Sequence, residues 1–148
     1  MLAERIDSEI KDAARARDAR RLTLLRAFKS AIKYREIEAG KPLEDTEIIA
    51  VCGQQIKQRR DAATQFTGAS RPELAANETA EIALLEAFLP RQLTDDELHA
   101  LVQEAVTASG AKDPKGMGAV MKHLMPKLQG RAEGKRVSDA VKKALTST

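Results

Sequence analysis

Apolar residues recur every three or four positions along most of this chain, which is the spacing of one face of an amphipathic α-helix. Leu2, Ile6 and Ile10 begin the pattern at the amino end. The next stripe of this kind consists of Leu22, Leu25, Phe28 and Ile32. No segment alternates apolar and polar residues for long enough to predict a β-strand. The sequence therefore predicts an all-α protein.

Short-range signals divide the first 90 residues into four predicted helices. Asp18 is a suitable N-cap for the second helix, and Gly40 is a stop signal for it. Ser70 and Glu73 have the spacing of a capping box at the start of the fourth helix. Pro90 is the predicted stop of that helix, since proline removes a backbone donor and disfavours a preceding helical residue.

Three shorter helices are predicted in the rest of the chain. Thr94 begins a second capping box, which opens the fifth helix, and Gly110 is its predicted end. Asp113 is followed by proline, the typical start of a helix, so the sixth helix should begin there. Pro126 is its predicted stop, and the seventh helix should cover about 133–145.

Pro90 is also the predicted domain boundary. Residues 1–90 are expected to form an N-terminal bundle of about four helices, and residues 91–148 a smaller three-helix tail domain. Within the tail, Met117, Met121 and Met125 recur at helical spacing and are predicted to lie in the core.

The distribution of charge is more informative than the net charge of +3. Residues 1–89 carry 15 basic and 15 acidic side chains, and residues 90–111 have a net charge of −3. Residues 112–148 carry nine Lys and Arg against three acidic residues, a net charge of +6. Such asymmetry is typical of a chain whose basic end binds a polyanion. The few aromatic residues lie outside this basic end, so stacking on unpaired bases is not expected.

The sequence also carries signals about the cellular compartment. Cys52 is the only cysteine, so no disulfide can form within the chain, and its apolar neighbours predict a buried thiol. No apolar run approaches the roughly 18–20 residues that a membrane span needs. The charged amino end lacks the apolar segment of a secretory signal. These features predict a soluble, cytoplasmic protein without a membrane partner.

No catalytic residue, metal site or cofactor is predicted. His99 and His123 have no Cys or carboxylate at a spacing that would suggest zinc. The acidic run at 95–97 is explained by the preference of a helix N-terminus for negative charge. No phosphate-binding glycine loop follows a strand, and no serine has the surroundings of a nucleophile.

The basic end is the best candidate for a binding site. Two glycines in the first turn of one helix suggest the close approach of another backbone, either a neighbouring helix or a nucleic acid. A basic face that is merely solvated remains a third interpretation, and it is the favoured one for the separate group at Lys57, Arg59 and Arg60. The residues predicted to contact RNA are Lys115, Gly116, Gly118, Lys122, Lys127, Arg131, Lys135 and Arg136.

Three segments resemble the GatB/YqeY family: IKQRRDAATQF at 56–66, FLPRQLTDDEL at 88–98, and MGAVMKHLMPKLQGRAEGKRVSDAVKKAL at 117–145. This family includes the tail of the B subunit of glutamyl/aspartyl-tRNA amidotransferases and stand-alone proteins of about this size. The chain is more similar to the stand-alone members, and it lacks the catalytic body of the full enzyme. The resemblance implies that the tail contacts the outer corner of transfer RNA, as the similar tail does in the amidotransferase.

The resemblance and the charge together predict an accessory protein that binds tRNA or another structured RNA, with amidotransferase subunits as further candidate partners. Phosphate and shape recognition are expected rather than recognition of a DNA sequence. One alternative is a protein–protein adaptor whose basic tail contacts an acidic partner. Another is a component of carbon–nitrogen ligase activity, with glutamine as amido-N-donor, that acts only in a complex.

Overall fold

A computed structural model describes residues 1–146 of the chain. Over these residues the protein is all-α, as the periodicity predicts, and it forms two compact units, Met1–Leu89 and Pro90–Thr148. The helices of the N-terminal unit are α1 (Leu2–Arg15), α2 (Ala19–Ala39), α3 (Asp45–Gly68) and α4 (Pro72–Glu86). The C-terminal unit contains α5 (Asp95–Ser109), a 3₁₀ turn (Pro114–Gly116), α6 (Met117–Leu128) and α7 (Gly134–Thr146).

The ends of α2 follow from the residues that flank it. The Asp18 carboxylate accepts a hydrogen bond from the Arg21 amide N–H at 3.1 Å, which satisfies one of the free donors at the helix start. Gly40 ends the helix with a left-handed backbone, φ 70°, which glycine adopts without a steric penalty. The start of α3 is weaker, because Glu44 makes no side-chain hydrogen bond to the helix.

The core of the N-terminal unit combines aromatic and aliphatic side chains from its helices. The rings of Phe28 and Phe88 meet edge to face with their centroids 5.6 Å apart, a favourable aromatic geometry. Cys52 is fully buried, and its thiol donates to the Leu85 carbonyl oxygen at 3.3 Å. Burial, with a smaller effect of the Glu86 charge, raises the pKa of the Cys52 thiol to about 12. It is therefore protonated at neutral pH, in keeping with the predicted buried thiol.

The predicted capping box of α4 is wrong. The residue that precedes the helix is Arg71, which makes no side-chain capping hydrogen bond. Ser70 instead has a positive φ of 59° and belongs to the turn that reverses the chain after α3. The helix also ends at Glu86 rather than beside Pro90, since 87–89 form a turn.

The C-terminal unit begins and connects its helices with the predicted caps. The Thr94 hydroxyl accepts from the Glu97 amide N–H at 3.1 Å at the start of α5, and Gly110 ends that helix with φ 72°. Asp113 accepts from the Lys115 amide N–H at 2.9 Å, but it opens the 3₁₀ turn and not the sixth helix as predicted, since α6 begins only at Met117. The apolar faces of the helices form one core, and its buried members are Leu93, Leu98, Val102, Ala105, Val120, Leu124, Leu128, Val137, Val141 and Leu145.

Two predictions for α6 are wrong. Pro126 does not stop the helix, which continues to the buried Leu128 before Gln129 adopts a left-handed backbone. Proline at this position removes its own amide donor and its ring crowds the carbonyl of Lys122, and the burial of Leu128 offsets part of this cost. Met125 is half exposed and lies outside the core, whereas Met117 and Met121 are partly buried against it.

Candidate nucleic-acid interface

All of the residues predicted to contact RNA lie in the C-terminal unit. They are Lys115 and Gly116 in the 3₁₀ turn, Gly118, Lys122 and Lys127 on α6, Arg131 in the turn after it, and Lys135 and Arg136 in the first turn of α7. The structure divides their charged members into two groups with different surroundings.

The first group consists of three cations that form ion pairs with acidic residues of α5. Lys127 Nζ lies 2.5 Å from a Glu104 carboxylate oxygen. An Arg131 guanidinium nitrogen lies 3.7 Å from Glu97, and one of Arg136 lies 2.7 Å from Asp95. These pairs neutralise part of the positive charge that the sequence assigns to a binding site. Each is partly exposed, so its contribution to stability is small.

The two arginines of this group also form hydrogen bonds that connect the start of the unit to the turn before α7 and to the first turn of α7. Arg136 donates to the Leu93 carbonyl oxygen at 2.8 Å, and the Leu93 amide N–H donates to the Arg131 carbonyl oxygen at 2.8 Å. The Gln92 side chain donates to the Gly130 carbonyl oxygen at 2.9 Å. The backbone groups of the buried Leu93 are thus satisfied, and the guanidinium of Arg136 has a structural role.

Glu97 also receives the Arg91 side chain. Two guanidinium nitrogens of Arg91 donate to the two carboxylate oxygens of Glu97 at 2.9 and 3.0 Å. These hydrogen bonds, more than the charge itself, lower the pKa of Glu97 and raise that of Arg91. The carboxylate of Glu97 is therefore occupied by Arg91 and Arg131, rather than completing the capping box with a bond to the Thr94 amide.

The second group consists of exposed lysines, and we call them the unpaired lysines. Within the described residues 1–146 they take part in no ion pair. The six are Lys112, Lys115, Lys122, Lys135, Lys142 and Lys143. Three of them, Lys112, Lys142 and Lys143, were not among the predicted site residues, and only their charge could have indicated them.

Packing within the unit brings several of these lysines to one end. The 3₁₀ turn contacts both α6 and α7. It precedes α6, whose 12 residues span about 18 Å, whereas α7 begins near the other end of α6. The 3₁₀ turn must therefore meet the C-terminal half of α7. This arrangement places Lys112 and Lys115 on the same end of the unit as Lys142 and Lys143.

The two glycines of the predicted site have different surroundings. A Cβ atom on Gly116 would lie 2.5 Å from the Cβ of Ala111, far inside the normal contact distance of about 3.5–4.0 Å. This close packing within the unit explains the glycine. A Cβ on Gly118 would meet nothing within 4 Å. Gly118 is exposed, so a backbone from another molecule could approach it.

Other kinds of site find little support in the described residues. Among them, no three His, Cys, Asp or Glu side chains are close enough to hold a metal ion. His99 and His123 are exposed. None of the helices in 1–146 is long and apolar enough to cross a membrane. That the chain has no catalytic residue and no cofactor stays a prediction.

Comparison with known families identifies the protein family of this chain. It matches the family described as Yqey-like protein over residues 3–145, which is nearly its full length. The chain belongs to this YqeY-like family. The resemblance noted in the three sequence segments is thereby confirmed for the stand-alone type of protein. The match by itself gives no activity or binding partner.

Curated relatives of this YqeY-like chain occur in fungi. "Altered inheritance of mitochondria protein 41, mitochondrial" of Lachancea thermotolerans is 29% identical over 112 residues, 74% of this chain and 60% of the relative. The protein of the same name from Saccharomyces cerevisiae is 28% identical over 94 residues, 63% of this chain and 51% of the relative. An uncharacterized protein of Schizosaccharomyces pombe is 29% identical over 90 residues, 61% of this chain and 73% of the relative. The chain thus spans only 51–60% of the first two relatives.

The expected cytoplasmic location is wrong by this comparison. The names of the relatives from Lachancea thermotolerans and Saccharomyces cerevisiae describe mitochondrial proteins. The expectation depended on a single cysteine, on the lack of a membrane-spanning run and on the charged amino end. None of these features distinguishes a cytoplasmic protein from one inside an organelle.

Proposed function

We propose that this YqeY-like protein binds structured RNA, such as tRNA, through the unpaired lysines of its C-terminal unit. The observation that carries the proposal is the presence of six exposed lysines without an ion pair in the described part of one small unit. An excess of unneutralised positive charge on one unit favours a polyanionic partner. The resemblance of the tail to that of the tRNA amidotransferase B subunit supports RNA as this polyanion.

The chemistry of the unit favours contacts to phosphate groups over contacts to bases. Lysine is a compact point charge, suited to phosphate but not to the two-pronged recognition of a base edge. Residues 90–148 contain no Phe, Tyr or Trp on which an unpaired base could stack. The proposed mode is therefore recognition of backbone and shape, and we expect little dependence on the sequence of the RNA.

The cations that form ion pairs are expected to contribute less to RNA binding than the unpaired lysines. Contacts from Lys127, Arg131 or Arg136 to RNA would compete with their carboxylate partners on α5. Gly116 is likewise explained by its packing against Ala111. The main contacts are therefore assigned to the unpaired lysines, with Gly118 as a point of close approach.

We also propose that the protein acts as an accessory and has no catalysis of its own. The GatB/YqeY resemblance covers the helical and tail part of the amidotransferase, not its catalytic body. An association with amidotransferase subunits would connect the chain to carbon–nitrogen ligase activity only within a complex. Co-purification with such subunits, followed by an amidation assay with and without this chain, tests that association.

Binding of purified protein to bulk tRNA across a salt series tests RNA binding itself. Each phosphate contact should contribute roughly −0.7 to −0.9 to the slope of log affinity against log salt. The variant Lys115→Gln/Lys122→Gln/Lys142→Gln should flatten that slope by about 2–3. Far-UV circular dichroism should stay unchanged, because the three side chains are exposed.

A matched control removes the same charge from another part of the chain. Lys11, Lys41 and Lys57 are also exposed, lie in the N-terminal unit, and form no ion pair within residues 1–146. The variant Lys11→Gln/Lys41→Gln/Lys57→Gln therefore has the same net charge as the test variant, and its slope should stay close to that of wild type. Equal slopes for the two triple variants would contradict the proposed site. A wild-type slope in the test variant would favour the adaptor alternative instead.

A further inference from the structure

The surface of α2 carries two adjacent apolar side chains that are open to solvent. Tyr34 is 65% exposed and Ile37 is 79% exposed. Residues three apart on a helix lie on one face, so the two side chains are neighbours. Within residues 1–89, the only other large hydrophobic residue this exposed is Met1. Adjacent exposed apolar side chains of this kind form a patch that can serve as a protein interaction site.

Basic side chains line a groove next to this pair. Tyr34 and Ile37 line an open groove of about 510 Å³ together with Arg26, Lys29, Ser30 and Lys33. The lining contains three cations and no carboxylate. Arg26 is exposed and has no ion pair within residues 1–146.

The other two cations have acidic neighbours at the margin of the groove. Lys29 pairs with Asp7 of α1 at 2.6 Å, and Lys33 lies 3.9 Å from Glu36 on its own helix. Three of these four side chains, all but Glu36, are more than 40% exposed. The ion pairs are therefore weak, and a carboxylate of another molecule could replace the present acidic partners. The groove therefore presents positive charge beside an apolar centre.

We propose that this face of α2 docks an acidic amphipathic helix of a partner protein. From Arg26 to Ile37 the face extends over about 17 Å, or three helical turns. A partner helix of similar length would cover Tyr34 and Ile37 with apolar side chains at spacings of three and four residues. Its flanking Asp and Glu side chains would meet Arg26 and Lys33. Complementary charge would set the orientation, and the apolar pair would supply most of the affinity.

The same surface fits two other occupants less well. Single-stranded RNA could stack a base on Tyr34, but Ile37 is the more exposed of the pair and has no aromatic face. A second copy of the chain would bring two sets of three cations into one interface. Its apolar contact would be limited to two side chains from each copy, well below the roughly 800 Å² per partner of a stable interface.

A designed peptide tests the proposal on the whole protein. The probe is an 18-residue helical peptide with Leu along one face and Glu on both flanks, carrying a fluorescent label. A control peptide of opposite charge has Lys in place of every Glu. Fluorescence anisotropy should show saturable binding of the acidic peptide and binding at least tenfold weaker for the basic one. NMR shift mapping should place the acidic peptide on residues 26–37.

Variants separate the apolar from the ionic contribution. Tyr34→Ser/Ile37→Ser should weaken binding at least tenfold, as expected for the central residues of an interface. The control Met125→Ser removes a half-exposed apolar side chain from the other unit and should leave binding unchanged. Arg26→Glu/Lys33→Glu should reverse the preference toward the basic peptide. None of these side chains belongs to the buried core, so helicity should be retained.

The results that would overturn the proposal are equally definite. They are no binding of the acidic peptide up to millimolar concentration, equal binding of both peptides, or a shift map outside 26–37. Tighter binding of poly(U) than of the peptide, lost in the Tyr34→Ser/Ile37→Ser variant, would assign the face to RNA. Concentration-dependent dimerisation that this variant abolishes would assign it to a second copy. Binding of tRNA by the unpaired lysines should be the same in the Tyr34→Ser/Ile37→Ser variant, which keeps the net charge, so the two proposals can fail separately.

Discussion

Replacing Gly116 by Ala should destabilise the C-terminal unit, because the added methyl group has no room. The new Cβ would lie 2.5 Å from the Cβ of Ala111 and 3.2 Å from its Cα. Normal carbon–carbon contacts are about 3.5–4.0 Å, so the overlap is roughly 1 Å or more. The obstacle is a short side chain on a backbone, which cannot rotate away. Overpacking of this kind costs about 1–3 kcal/mol.

Gly118→Ala is the matched control, since it adds the same methyl group two residues along the chain. Nothing lies within 4 Å of a Cβ at this position, and the residue is in the first turn of α6. Alanine should therefore stabilise the helix by up to about 1 kcal/mol. The two substitutions are expected to have opposite signs.

Urea unfolding followed by circular dichroism measures both changes in the free energy of unfolding. Hydrogen exchange read by mass spectrometry assigns them to α5 and α6. Adding Ala111→Gly to Gly116→Ala removes the obstructing methyl group, so the double-mutant cycle should show a favourable coupling of about 1–2 kcal/mol. A Gly116→Ala variant as stable as Gly118→Ala, with no coupling to position 111, would refute the packing argument. Lost tRNA affinity at unchanged stability would instead support close approach of an RNA backbone to Gly116.

Three further outcomes follow from the contacts described above. Cys52 should resist a thiol reagent at pH 8 until denaturant is added; its raised pKa contributes stability that is fully present below pH 9 and is lost as the pH rises toward about 12. Labelling of the folded protein at the rate of a free cysteine peptide would contradict this burial. Arg136→Met should lower the free energy of unfolding of the C-terminal unit by about 1–3 kcal/mol, because the Leu93 carbonyl loses its donor, whereas the exposed neighbour Lys135→Met should change it by less than about 0.5 kcal/mol. Trypsin should cut first at Arg91, between the predicted domains, and a first cut inside α3 would count against that boundary.

The parts of the fold that could be predicted from the sequence are those with local causes. Asp18 and Thr94 cap a helix through amide groups three residues away, and Gly40 and Gly110 end one through their own backbone. Ser70 shows the limit of this reasoning. Its spacing from Glu73 matched a capping box, but the turn after α3 required a positive φ at Ser70 itself.

The candidate site was less predictable because its electrostatics depend on distant residues. Lys127 and Arg136 meet acids that are 23 and 41 residues away in sequence, so their ion pairs appear only once α5 has packed against the other helices. A count of charge along the chain treats such cations and the unpaired lysines alike. The sequence left open whether Gly116 allows the approach of a neighbouring part of the chain or of a nucleic acid, and only the position of Ala111 decides between them.

The packing of α5 against two helices that follow it in sequence affects how this protein can fold during its synthesis. Helices α1 to α4 can pack once residues 1–89 have left the ribosome, whereas the apolar face of α5 packs mainly against α6 and α7, which are made later. From Leu98 to Leu145 the ribosome adds 47 residues, which takes roughly 2–9 s at 5–20 residues per second. During that interval Leu98 and Val102 of the nascent chain lack the side chains that bury them in the folded unit. A pause in translation within this window would lengthen the time in which chaperones or nonspecific contacts can reach the exposed face.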